Sequence, residues 1–344
     1  MRITREILFK IARDTANKRA RTDRDLLSIY LHGSLLTEEP ILGGTADIDL
    51  VFVHNDAVLT EREIQRLTDD VHLDIAHHAR DEYRRARSLR LHPWMGPTIF
   101  RCQILYDPQH FMDFTQASVR GQFNRPDYVL GRARTQVEHA REMWFTMDEY
   151  SEEPGLDEVR FYLRAIEHVA NAVAVLNGLP LTERRFLLEF PPRAEAVGRP
   201  GLYAGLIGLL GAPKVDADLL RAWLPAWSAA YRAIPEEQIL PRLHPDRYYY
   251  YHRAFEHLIG GEKAHDVLWP LLRTWSDVVD RLPAKAGERQ EWEQAFRQVD
   301  LLGPGFAQRV AALDAFLDVV EETLEEWARA SGAEYRPTSG PPLR

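Results

Sequence analysis

Two rhythms of apolar and polar positions divide this chain. Up to about residue 106, short runs alternate with a period of two, as strands do, between stretches that read as helices. Residues 6–20 form a leading helix, with Ile7, Leu8, Ile11 and Ala12 at i, i+4 spacing. The stretch 29–53 reads as strand, Gly-Ser turn, short helix, Gly-Gly turn and second strand. A helix over 60–68 leads to a strand over 71–77, where Val71, Leu73 and Ile75 share one face. An Arg-rich helix is expected at 81–91 and a further strand at 97–106. From about Gln109 the strand signals vanish. Residues 127–147 carry Leu130, Ala133, Val137, Ala140, Trp144 and Met147 three and four apart, which is a helical stripe. Residues 156–177 are apolar on most of their circumference, as the central helix of a bundle would be, with Gly178 placed as a C-cap. Helices at 202–210, 217–233, 248–259, 265–282, 288–299 and 306–330 follow. The pattern predicts an α+β protein: a small mixed-sheet domain over 1–125, an all-helical domain over 126–330, and a disordered Gly/Pro/Ser-rich tail over 331–344.

Composition narrows the setting. The chain has 344 residues, enough for two cores, and no apolar run approaches the length of a membrane span. One cysteine, Cys102, excludes an internal disulfide framework and Cys-based zinc; it is expected in the core. With no signal-peptide core at the N-terminus, a cytoplasmic protein is expected. Residues 1–125 hold 18 basic and 18 acidic side chains, so the net charge of −9 falls entirely on residues 126–344. That balance argues against a long nucleic acid as partner.

The chemistry lies in 29–53. Asp47 and Asp49 flank Ile48 on a strand, so both carboxylates point to one face while Ile48 and Leu50 pack on the other. Two like charges that close repel, and a divalent cation is the simplest thing that settles them. Upstream, Gly33-Ser34 ends the preceding strand, where glycine allows close backbone approach and helix-opening amides favour an anion such as phosphate. Asp74 is a third acid, alone in an otherwise apolar strand. Other candidates are weaker. The thirteen histidines include no metal pair on a clear helix, and the run Tyr248–Tyr251 is assigned chiefly to core packing.

His32-Gly33-Ser34, then Asp47-Ile48-Asp49-Leu50 after a dozen residues, resembles the signature of the nucleotidyltransferase superfamily that includes DNA polymerase beta. The layout is similar to that of the kanamycin and other aminoglycoside nucleotidyltransferases, through the 97–106 strand end and, loosely, residues 138–194. Histidine before the Gly-Ser pair and Ala46, where many members have serine, depart from the pattern. The resemblance implies two Mg²⁺ ions held by Asp47, Asp49 and Asp74, and phosphates held by Gly33 amides and Ser34. It further implies transfer of a nucleoside monophosphate, AMP from ATP in the first instance, to a hydroxyl with release of pyrophosphate. It also implies a carboxylate base from the helical domain: Glu138, six residues before Trp144, with Glu142 and Glu167 as rivals. The acidic helical half suits a small cationic acceptor such as an aminoglycoside. A protein or RNA acceptor, and a non-catalytic nucleotide-binding regulator, are the alternatives; the oligomeric state stays open.

Overall fold

The computed structural model describes residues 3–150 and 154–333. The chain divides into two compact units. The first runs to Tyr128 and also takes in Asp246–Ala254; the second holds the described residues of Val129–Pro245 and those from Phe255 to residue 333.

In the first unit, α1 (Arg5–Thr22) precedes β1 (Leu26–His32) and β2 (Ala46–His54). β3 (Arg62–Arg66) and β4 (Val71–Ala79) follow, then α2 (Met95–Arg101), β5 (Gln103–Tyr106) and α3 (Phe111–Arg120). The five strands form one mixed sheet in the order β3-β4-β2-β1-β5. Only β2 and β4 run parallel; the other three pairings are antiparallel. Period-two alternation gives the sheet two apolar faces. One packs Ile29, Leu31, Ile48, Leu50, Leu73 and Ile75 against Leu8, Ala12 and Ala16 of α1. The other packs Leu27, Val51 and Val53 with Ile99 of α2 and Met112 and Val119 of α3.

Three expectations in this unit are corrected. The segment read as a helix over 60–68 holds β3, an edge strand paired antiparallel with β4. Its residues have good helix propensity, but the exposed, charged face of Arg62-Glu63-Ile64-Gln65-Arg66 also suits a sheet edge, and pairing with β4 decides. The strand expected over 97–106 is α2 followed by the shorter β5. Pro97 sits in the first turn of α2, where its missing N–H costs nothing. Cys102 closes α2 and is buried; burial pushes its thiol up to about 12. The Arg-rich segment is two short 3-10 turns, Arg80–Tyr83 and Ser88–Arg90, not a helix. Arg84, Arg85 and Arg87 are exposed, whereas Arg90 is buried, donating to the Ser118 carbonyl and Gln122. α3 was not foreseen.

The second unit is helical throughout its described residues: α4 (Pro126–Tyr150), which starts in the first unit, α5 (Leu156–Ala174), α6 (Phe186–Ala196), α7 (Gly201–Leu209) and α8 (Ala217–Arg232). It continues with α9 (Tyr248–Ile259), whose opening residues lie in the first unit, α10 (Leu268–Arg281), α11 (Glu288–Gln298) and α12 (Phe306–Ser331). α5 is the central helix, packed against α6, α7, α10 and α12. It ends at Ala174 with Val175 as its cap, so Gly178 lies in the turn beyond rather than capping it. Of the expected tail, residues 334–344 lie outside the described residues, and α12 runs on to Ser331. Among the described residues no helix is long and apolar enough to cross a membrane.

Candidate active site

The parallel pairing of β2 with β4 sets Asp49 directly beside Asp74, and Asp47 beside His72. Since Asp47, Asp49 and Asp74 project from the same side of the sheet, one oxygen of each lies within 4.8 Å of the others. Farther along that face Val51 and Val53 enter the core with residues of α2 and α3. Asp47 and Asp74 are buried and Asp49 is half-buried. Burial raises the Asp49 carboxyl well above the usual range, and the charges of Asp47 and Asp74 push it further, against the pull of Arg247 and Arg62. A donor set of three crowded carboxylate oxygens is hard-cation chemistry, and these residues can hold a divalent metal.

β1 ends at His32, opposite Asp49, and the chain turns at Gly33 with φ of 77°. A side chain at Gly33 would fall on the Asp49 carboxylate, so glycine is required here by both backbone and space. The expected short helix is a single 3-10 turn, Ser34–Leu36. Ser34 is buried, and its Oγ has no hydrogen-bond partner among the described residues. A buried hydroxyl left unpaired costs about 1–3 kcal/mol, which a phosphate oxygen would recover. Burial lowers His32 to about 4, against the attraction of Asp74 and Asp47, so it stays neutral at pH 7. The Gly-Gly turn before β2 is closed by two backbone bonds of 3.1 Å between Leu42 and Thr45. Both its glycines have positive φ, and a side chain on Gly43 would strike the Arg253 backbone.

Two arginines that sequence reasoning missed complete the site. Arg62, on β3, donates to both oxygens of Asp74, from Nε to Oδ1 at 2.5 Å and from Nη2 to Oδ2 at 2.6 Å. Arg247 ends a 3-10 turn, Pro245–Arg247, and is 4% exposed. Its Nη1 donates to Asp74 Oδ2 at 2.8 Å, and its Nη2 lies 3.6 Å from Asp47 Oδ2. The rings of Tyr250 and Tyr251 stand 4.9 and 5.6 Å from the guanidinium carbon, close enough for cation–π attraction. Tyr248, Tyr250 and Tyr251 are buried and Tyr249 is exposed. The only signal in the sequence was an arginine beside a tyrosine run, too far from Asp74 to connect with it.

The structure thus brings together Asp47, Asp49, Asp74, Gly33 and Ser34. Glu138 and Glu142 belong to the helical unit, exposed on α4. Glu167, on α5, has its carboxyl raised by burial, with Arg273 and Arg242 opposing the rise.

No protein-family model matches the chain, and neither does any curated protein. Among solved structures it is similar to a nucleotidyltransferase-like protein from Exiguobacterium sibiricum, at 12% identity over 97% of both chains and a TM-score of 0.28. A likeness that slight says nothing of the chemistry, which rests on the residues themselves.

Proposed function

We propose that this protein is a metal-dependent nucleotidyltransferase that moves a nucleoside monophosphate, AMP from ATP, to a hydroxyl of a small acceptor. The observation that carries the reading is the pairing of a crowded carboxylate trio with a glycine-serine turn whose buried hydroxyl lacks a partner. Asp47 and Asp49 would hold the metal, and Ser34 Oγ with the backbone at Gly33 would receive the outer phosphates. When bound, the metal supplies charge stabilisation at the phosphates. The chain's own residues do the rest. Gly33 leaves room for the Asp49 carboxylate against the turn, and Ser34 would orient the phosphates. The acceptor oxygen attacks the α-phosphorus, the bond to pyrophosphate breaks, and the hydroxyl proton passes to a carboxylate. For that base we propose Glu138, with Glu142 and Glu167 as the alternatives to be tested beside it.

For the acceptor, the −9 carried by residues 126–344 favours a polycationic, hydroxyl-bearing molecule such as an aminoglycoside. The test is a pyrophosphate-release assay with ATP and Mg²⁺ across a panel of aminoglycosides and neutral polyols. Release that requires Mg²⁺ and an acceptor supports the reading. ATP binding without release on any acceptor would favour a regulator, and label appearing on protein would move the acceptor to a macromolecule. Glu138→Gln is expected to reduce transfer far more than ATP binding.

A further inference from the structure

Asp74, the carboxylate expected to reach an acceptor-side ion, already accepts three hydrogen bonds from two guanidinium groups. Oδ1 accepts from Arg62, and Oδ2 accepts from both Arg62 and Arg247. The Arg247 guanidinium spans from Asp74 to Asp47, lying between the two carboxylates that a second ion would have to share. A magnesium ion bonds carboxylate oxygen at about 2.1 Å. An ion that close to Asp74 Oδ2 would press its two charges against two guanidinium groups already in hydrogen-bond contact with the same atom. Both arginines are held in place by their contacts. Arg247 is buried under Tyr250 and Tyr251, and Arg62 grips Asp74 in the fork geometry that suits guanidinium and carboxylate. Asp49 has no ion pair within 4 Å among the described residues, so the opening for a cation lies at Asp49.

We propose that Arg247 is a built-in cation standing in place of the acceptor-side metal, so that this site takes one divalent ion rather than two. The inference rests on the nucleotidyl-transfer reading and narrows it. An arginine stabilises developing negative charge without coordinating it, and it holds no exchangeable ligand position. Its charge is present whatever the metal concentration.

The experiment counts Mn²⁺ bound to the full chain in the presence of a non-hydrolysable ATP analogue, by equilibrium dialysis and by electron paramagnetic resonance. The native chain is expected to bind one Mn²⁺ with no Mn–Mn coupling. Arg247→Ala, checked for folding by circular dichroism, is expected to bind two, with coupling between them. Arg62→Ala, on an exposed sheet edge, should keep the count at one. Two coupled ions in the native chain would overturn the inference and leave nucleotidyl transfer standing. A count of one in folded Arg247→Ala, or of two in Arg62→Ala, would overturn the role given to Arg247. Neither ion nor nucleotide bound to the native chain would overturn both readings. If Arg247→Ala does not fold, the native count decides alone.

Discussion

Both units bury carboxylates among arginines, and the two clusters are built on opposite principles. In the sheet unit three acids are set side by side by strand period and parallel register, and two arginines engage only part of them. In the helical unit Asp277 of α10 is surrounded: Arg242 lies 3.0 Å away, Arg273 3.4 Å and Arg160 3.7 Å. Arg242 also reaches Glu183 at 2.5 Å, and Arg160 reaches Asp280 at 3.1 Å. Here three arginines surround one acid, although Asp277 Oδ2 and Arg273 Nε and Nη1 make no hydrogen bond among the described residues. Among the described residues the sheet cluster keeps Asp49 without an arginine within 4 Å and Ser34 Oγ without a hydrogen-bond partner. Three acids against two arginines leave the sheet cluster with a surplus of negative charge that a cation would offset, whereas three arginines share the one acid Asp277, as in a structural brace.

Substitutions should therefore act with opposite signs in the two clusters. Asp49→Asn is expected to lower turnover by at least ~10³, since metal charge stabilisation is worth several kcal/mol and each 1.4 kcal/mol is tenfold. Its melting temperature without metal should stay level or rise, because a repelled carboxylate is removed. Normal Mg²⁺-dependent turnover in this variant would dismiss the metal reading. Asp277→Ala should do the reverse, losing about 3–5 kcal/mol of stability in urea titration by stranding buried Arg273. A loss within 0.5 kcal/mol would mean that the helical cluster is not a brace.

Smaller effects sharpen the contrast. Gly33→Ala forces a left-handed backbone on alanine, at about 1–2 kcal/mol, and drives its methyl into Asp49. ATP binding measured by calorimetry should fall with it. Ser34→Ala is expected to leave stability unchanged or raise it by up to ~1 kcal/mol, since an unpaired buried hydroxyl disappears. The same change should weaken nucleotide binding several-fold, and unchanged binding would take the serine out of the phosphate site.

Acid should loosen both units for a shared reason. His32 in the sheet unit and His168 in the helical unit are each lowered to about 4, chiefly by burial. At pH values between about 6.5 and 4 the unfolded chain binds protons that the folded chain refuses. Each histidine thus contributes stability that is whole above about 6.5 and lost as pH falls towards 4. NMR titration of the imidazole signals should find both still neutral at pH 5.

Much of this protein could be read along the chain, because the forces involved are local. The placing of Asp47 and Asp49 on one face follows from the strand period alone, as does the apolar back of the Asp74 strand. The helical stripe of residues 127–147 and the buried circumference of α5 follow from the 3.6 period in the same way. What only the tertiary structure decided lies in contacts between distant segments. Residues 62–66 carry a sequence that serves helix or edge strand, and the neighbouring β4 made the choice, bringing Arg62 to Asp74. Arg247 reaches the same carboxylate from 173 positions away. No periodicity encodes such a meeting: it depends on the sheet order and on where the turn before α9 places one guanidinium.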